Sequence, residues 1–364
     1  MGEILGLGLS HHPGFLGKDE NMADILRRNL ERPDVPDDWK DRENWPEAML
    51  KEYGHDGGTA AAALHREAFV RNVRKLRGAI DDFKPDFLVI FGDDQYENFR
   101  EDVVPSFCVY AYDDIEMQPY MPRLREGSPA PAVLPPPTNP WGEPTDYVLK
   151  IKTKRDAAKY LARGLIQEKV DAAYSYQPLH YQGLSHAFHR MPLYLDYDRK
   201  GFEYPIVPVA VNCYGSRVLV NRGGSYPVGR VDVPEGELDP PGPTPERCME
   251  VGAAVARVLQ RSPWRTAMIA SSSWSHAFLV PKHYFMYPDI EADRSVYEQI
   301  AAGDFDGLRK RTIDEIEASG QQEVLNWFCL AGAMEELGRS KPDHSEFVQT
   351  HIFNSNKVFA LYNP

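Results

Sequence analysis

Four short stretches of this chain carry side chains able to hold a metal ion or move a proton. The first is Ser10-His11-His12-Pro13, which follows the apolar run 4–9. Successive side chains on an extended segment point to opposite sides, so one imidazole can face a pocket while its neighbour packs. The second is Asp93-Asp94-Gln95, which follows the apolar run 87–91 and Gly92. Carboxylates in such a place serve as metal ligands, as partners that orient ligands, or as helix caps. The third runs from Ser271 to His276, where an apolar run enters small hydroxyl residues. An imidazole there suits acid–base work, because its ordinary pKa lies near neutral pH, and suits packing equally. The fourth is Glu323, at the opening of an apolar helical stretch with Asn326 and Trp327. A carboxylate in a first turn favours the helix dipole, so capping and ligation both remain open for it.

These residues need elements to position them. Short apolar runs at 4–9, 87–91, 106–112, 172–176, 206–211 and 266–270 read as strands. Residues 60–83 carry the 3.6-residue period, with Phe69, Val73, Leu76, Ile80 and Phe83 on one side and Leu64 off the stripe. Residues 154–169, 244–260 and 295–312 also read as helices. Strands alternating with helices predict an α/β fold, a central mixed sheet flanked by helices. In such sheets functional residues gather just past the C-terminal ends of strands, where three of the four stretches fall. Two Pro- and Gly-rich excursions, 122–144 and 223–243, read as loops that either connect or wall the site. No repeat or linker divides the chain, so residues 1–364 are expected to form one domain.

Composition narrows the function. The formal net charge is −13 over 364 residues, which speaks against nucleic-acid and anionic-membrane partners. The four cysteines are scattered with no Cys-x-x-Cys pair, so neither a disulfide framework nor a thiolate metal site is expected, and a cytoplasmic setting fits. The chain lacks the P-loop pattern, the Gly-x-Ser-x-Gly elbow and His-Glu-x-x-His. Tyr96 and Tyr214 lie near strand ends and are expected to line an aromatic pocket. The word Ser-His-Ala-Phe occurs at both 185–188 and 275–278, which we read as coincidence.

Taken together and in order, Ser-His-x-Pro, the acidic strand end, Ser-x-Ser-His and Glu-x-x-x-Trp resemble the class III extradiol ring-cleaving dioxygenases, the family of the LigB-type catalytic subunit of protocatechuate 4,5-dioxygenase. The stretches 246–259 and 301–337 are similar to that family as well. The resemblance implies non-haem Fe(II) held by two histidines and a glutamate. By position the ligands are His11 and Glu323, with Gln95 standing where the second histidine is expected. Because an amide oxygen is a weaker donor than imidazole, Asp94 and His55 are the alternatives to Gln95. His276 corresponds to the family's acid–base histidine and His186 to a further pocket histidine. The implied activity is ring opening of a catechol- or aminophenol-like aromatic compound with O2, in a homodimer. The rivals are a metal-dependent hydrolase on the same scaffold and a non-catalytic binding protein with a degenerate metal site.

Overall fold

A computed structural model describes residues 2–33, 35–120, 139–218 and 235–364. Its centre is an eight-stranded sheet in the order β6-β3-β7-β2-β8-β1-β10-β9. The strands are β1 (Ile4–Ser10), β2 (Phe87–Asp93), β3 (Phe107–Tyr110), β6 (Ala173–Ser175), β7 (Ile206–Val211), β8 (Thr266–Ser272), β9 (His344–Val348) and β10 (Lys357–Tyr362). A separate two-stranded sheet pairs β4 (Ile115–Met117) with β5 (Leu149–Ile151). The four middle strands β7, β2, β8 and β1 run parallel, while β3 joins β7, and β10 joins β1 and β9, antiparallel. The sheet is therefore mixed, as the sequence predicts.

Alternation along the strands builds a three-layer molecule. On β1, Leu5, Leu7 and Leu9 enter one apolar cluster, and on β2 Leu88 and Ile90 join them. Phe87, Val89 and Phe91 of β2 face the other cluster. The first face is covered by helices α2 (Thr59–Phe83) and α4 (His186–Leu195), with α1 (Glu47–Tyr53) beside them. The second is covered by α3 (Arg155–Gln167), α5 (Pro245–Gln260), α6 (Ile290–Ala302) and α7 (Leu325–Glu336). Each large side chain so buried contributes roughly 1.5–3 kcal/mol of transfer free energy. The α2 stripe Phe69, Val73, Leu76, Ile80 and Phe83 packs inward, and Leu64 stays 67% exposed.

The predicted helix at 295–312 is a correction. It splits into α6 and a short helix Phe305–Arg309. Gly303 takes a left-handed φ of 71°, which ends α6, and the Asp304 carboxylate then accepts from the Gly307 N–H to cap the next turn. Strands β9 and β10 and helix α4 were not anticipated. Most of the two predicted excursions, residues 122–138 and 223–234, lies outside the described residues. Among those described, no helix is long and apolar enough to cross a membrane.

One buried cation stands apart from the strand ends. Lys357 opens β10 at 1% exposure, with Nζ 3.5 Å from His65 Nδ1 and over the rings of Phe15 and Phe353. His65 in turn meets Glu52 at 3.2 Å. Burial pushes the Lys357 amine down to about 7, with Glu52 opposing. Between that value and the ordinary lysine range the unfolded chain holds a proton that the folded chain lacks, so stability rises with pH across this window. Lys357→Met is therefore expected to stabilise the fold at pH 6, on the order of 4 kcal/mol, and to lose that advantage above about pH 10. Urea midpoints at the two pH values check it. A variant no more stable than the parent at pH 6 rejects the assignment.

Candidate metal centre

The segments leaving β2, β7 and β8 meet in a narrow recess lined by Asp93, Gln95, Tyr214, His276, Phe278 and Glu323, with others. Two of its lining residues, Asp93 and Glu323, also belong to a buried cluster with His11 and His186, in which each side chain offers one ligand atom and all four atoms lie within 4.8 Å of one another.

Glu323 is the hub. It sits in the 3-10 turn Gln322–Val324 that leads into α7. Trp327 Nε1 donates to Ser272 Oγ at 2.7 Å and Asn326 Nδ2 to the Ser271 carbonyl at 3.0 Å, and these bonds pin α7 to the end of β8. The Glu323 Oε2 accepts from the Ser273 N–H at 2.6 Å and lies 3.0 Å from His11 Nε2. Its Oε1 lies 3.1 Å from His276 Nε2 and 3.9 Å from His186 Nε2. Burial raises a carboxyl pKa, but His276 outweighs it and holds Glu323 well below its ordinary value.

His11 leaves β1 with its N–H bonded to the Ser272 carbonyl. Its Nδ1 is 2.9 Å from Ser271 Oγ. The Ser271 hydroxyl donates its single hydrogen to the Ala187 carbonyl at 2.6 Å, so it accepts from His11 Nδ1–H. That tautomer leaves the lone pair on Nε2, which has no hydrogen-bond partner despite its closeness to Glu323. Burial, with smaller contributions around it, brings the His11 pKa down to about 3, which keeps the ring neutral. The adjacent His12 is turned elsewhere. It packs edge-on against Phe15, and burial holds it neutral too.

His186 is the first residue of α4 and is aimed by a turn that Asp94 builds. The Asp94 carboxylate accepts from the N–H groups of Glu97, Asn98 and Phe99, which folds residues 94–99 tightly. Glu97 so placed accepts from the His186 N–H at 3.0 Å and from its Nδ1 at 2.9 Å. A carboxylate there caps the helix and fixes the ring tautomer at once. The Ser185 hydroxyl donates to the Asp93 carbonyl, tying helix to strand. The approach is close because residue 92 is glycine: a Cβ there would lie 2.7 Å from the Phe188 ring.

Four carboxylates, Asp93, Asp94, Glu97 and Glu323, are crowded into this buried region. Burial first, then Glu323 and Glu97, push the Asp93 carboxyl well above its ordinary value, and burial and Glu97 bring Asp94 up to about 6. Asp93 Oδ1 has no hydrogen-bond partner. Two neutral imidazoles with free lone pairs, two facing carboxylates and orphaned polar atoms fit a divalent cation. Removing ligands' protons and supplying positive charge would relieve each strain named here.

The remaining expected site residues fall as follows. His276 lines the recess against Glu323, outside the four-group cluster. Burial opposes its charged form, but Glu323 outweighs that and its pKa sits above the ordinary value. His186 is a correction in place: it belongs to the metal-sized cluster rather than to the recess wall, because Glu97 turns its Nε2 toward Asp93 at 3.6 Å. Gln95 lines the recess, and its N–H donates to Glu97 at 3.3 Å, which makes it part of the turn beneath His186. Asp94 is consumed by the same turn. His55 lies on an exposed turn before α2 and does not reach the cluster. Tyr214 lines the recess, with its hydroxyl 2.7 Å from the Phe99 carbonyl. Tyr96 does not: its φ is 60°, and its hydroxyl donates to Glu101 at 2.6 Å. Sequence reasoning missed Glu97 and Ser271 as the groups that aim the two imidazoles. The repeated Ser-His-Ala-Phe was an available signal, since both copies deliver a histidine to this site.

Residues 219–360 match the family model described as the catalytic LigB subunit of aromatic ring-opening dioxygenase. The chain is 26% identical over 211 residues to 2,3-dihydroxyphenylpropionate/2,3-dihydroxicinnamic acid 1,2-dioxygenase 2 of Pseudomonas putida, covering 58% of this chain and 49% of that protein. It is 25% identical over 230 residues to the 2,3-dihydroxyphenylpropionate/2,3-dihydroxicinnamic acid 1,2-dioxygenase of Burkholderia vietnamiensis, covering 63% and 53%. A protein of the same name from Paraburkholderia xenovorans is 26% identical over 282 residues, covering 72% and 79%. The match thus spans about half the length of the first two relatives and more of the third.

Proposed function

We propose that this chain, which belongs to the LigB-type, class III extradiol family of aromatic ring-opening dioxygenases, opens the ring of a catechol- or aminophenol-like compound with O2 at the recess above His11, Asp93, His186 and Glu323. The observation that supports it is the buried two-imidazole, two-carboxylate cluster at the strand ends, with a further histidine beside it. Iron(II) held by His11, Asp93, His186 and Glu323 would supply Lewis acidity toward a substrate's neighbouring oxygens and the redox chemistry that O2 requires.

The chain's own groups do the rest. Ser271 and Glu97 hold the protons of His11 and His186 on Nδ1, so both Nε2 atoms stay available as ligands. His276 Nε2 rests against Glu323, and its Nδ1 has no hydrogen-bond partner in the protein. This arrangement suits His276 to take a proton from a substrate hydroxyl and return it later in the reaction. Phe278, Leu279 and Tyr214 give the recess an apolar wall, and because its cavity of about 10 Å³ is water-sized, an aromatic ring enters only as these side chains move apart. The rival reading of a degenerate site rested on Gln95. Four other donor groups lie together without it.

An oxygen electrode tests this reading. Protein loaded with Fe(II) under anaerobic conditions should consume O2 when a substituted catechol or aminophenol is added, one molecule per molecule of substrate. No O2 uptake with any such compound rejects it.

A further inference from the structure

We infer that the second imidazole ligand of this site is His186, not Gln95, and that Asp93 joins Glu323 to make a two-histidine, two-carboxylate set in which Glu97 positions His186. The inference rests on the reading of the site as a metal centre, and it departs from the two-histidine, one-carboxylate set that the family resemblance implies.

Distance carries it first. The four ligand atoms lie within 4.8 Å of one another. Donors bound to one ion at about 2.0–2.2 Å stand no more than ~4.4 Å apart, so contraction by a few tenths of an ångström would close the set. Hydrogen bonding carries it second. A ligating histidine characteristically donates its other ring N–H to a carboxylate or similar acceptor. His186 does so to Glu97 at 2.9 Å, and its Nε2 is aimed between Asp93 Oδ2 at 3.6 Å and Glu323 Oε1 at 3.9 Å. The rings of His11 and His186 meet edge to face, 4.8 Å between centroids, which lets two imidazoles converge on one point. Charge carries it third. Asp93 is buried with Oδ1 unpartnered beside three more carboxylates, an arrangement that a divalent cation would neutralise.

The chain offers no comparable support for Gln95. Its N–H serves the Glu97 turn, and an amide oxygen is the poorer donor for a first-row divalent metal.

Cobalt(II) provides the readout, because its visible absorption reports coordination independently of turnover. The full chain is titrated with Co(II) under anaerobic conditions, alongside His186→Ala, Glu97→Gln, Asp93→Ala and Gln95→Ala. Thermal unfolding of each metal-free variant shows that the fold survives. The parent and Gln95→Ala are expected to bind one ion per chain with the same spectrum. His186→Ala should lose at least 100-fold in affinity, and Asp93→Ala should change the spectrum. Glu97→Gln keeps the ring in place but weakens its carboxylate partner, and should bind about 10–100-fold more weakly. Loss of binding in Gln95→Ala with retention in His186→Ala overturns the assignment while leaving the metal reading intact. A parent that binds no metal overturns both.

Discussion

Replacing Glu323 by Gln is expected to abolish activity, with kcat/KM falling on the order of 10³-fold or more, and to empty the metal site. The size follows from the hub role. One carboxylate contacts His11 and His276 and faces His186 from 3.9 Å or less, and it also accepts the Ser273 N–H. A glutamine keeps the shape and an acceptor oxygen. It surrenders the anion that a divalent metal needs, and metal chemistry of this kind supplies several kcal/mol of transition-state stabilisation. The amide also presents N–H groups toward one of the two imidazoles. Metal stoichiometry and steady-state O2 uptake check the prediction together. A Glu323→Gln protein that retains both metal and turnover removes Glu323 from the centre.

His276→Ala is the second large effect, and its signature differs. The variant should keep its metal, because His276 lies outside the four-group cluster. It should keep KM within a few fold, since Phe278, Leu279 and Tyr214 still wall the recess. Its kcat should fall about 10²–10⁴-fold, the usual size of lost acid–base assistance. The turn that carries His276 is strongly held, so the backbone should not collapse around the missing ring. The N–H groups of residues 273–277 donate in turn to Glu323, Ser355, Asp293, Gly320 and Asn354. Loss of metal together with loss of rate in this variant would make His276 a ligand rather than an acid–base group.

The sheet core was legible because each of its middle strands is a short apolar run flanked by polar turns. The runs 4–9, 87–91, 206–211 and 266–270 mark β1, β2, β7 and β8, of which β2 and β8 extend two residues further, to Asp93 and Ser272. Strands β9 and β10 were not legible, since Lys357 opens β10 with a buried charge and β9 mixes His, Ser and Glu with two apolar residues. Helix α4 was hidden by Pro192 and by histidines at its start.

The site was legible in part for a related reason. His11, His276 and Glu323 follow strands or open a helix, so local pattern points to them. The pairing of His186 with Glu97 spans 89 residues and depends on α4 crossing the glycine at the end of β2. No local spacing encodes that contact. The family resemblance singled out Gln95, and tertiary packing brings His186 to the cluster instead. Tyr96 misled for a similar reason. It lies near the right strand end, but its left-handed backbone and its bond to Glu101 turn it away from the recess.

The most direct test of ring-opening oxygen chemistry at this centre uses isotopically labelled O2. Protein reconstituted with Fe(II) is mixed with a catechol or aminophenol substrate, and the product is analysed by mass spectrometry. The geometry predicts a ring-opened acid carrying both labelled oxygen atoms, formed by the parent and absent with Glu323→Gln. Protein that instead holds zinc, leaves every aromatic diol and aminophenol intact under labelled O2, and hydrolyses a substrate with oxygen drawn from water would contradict it.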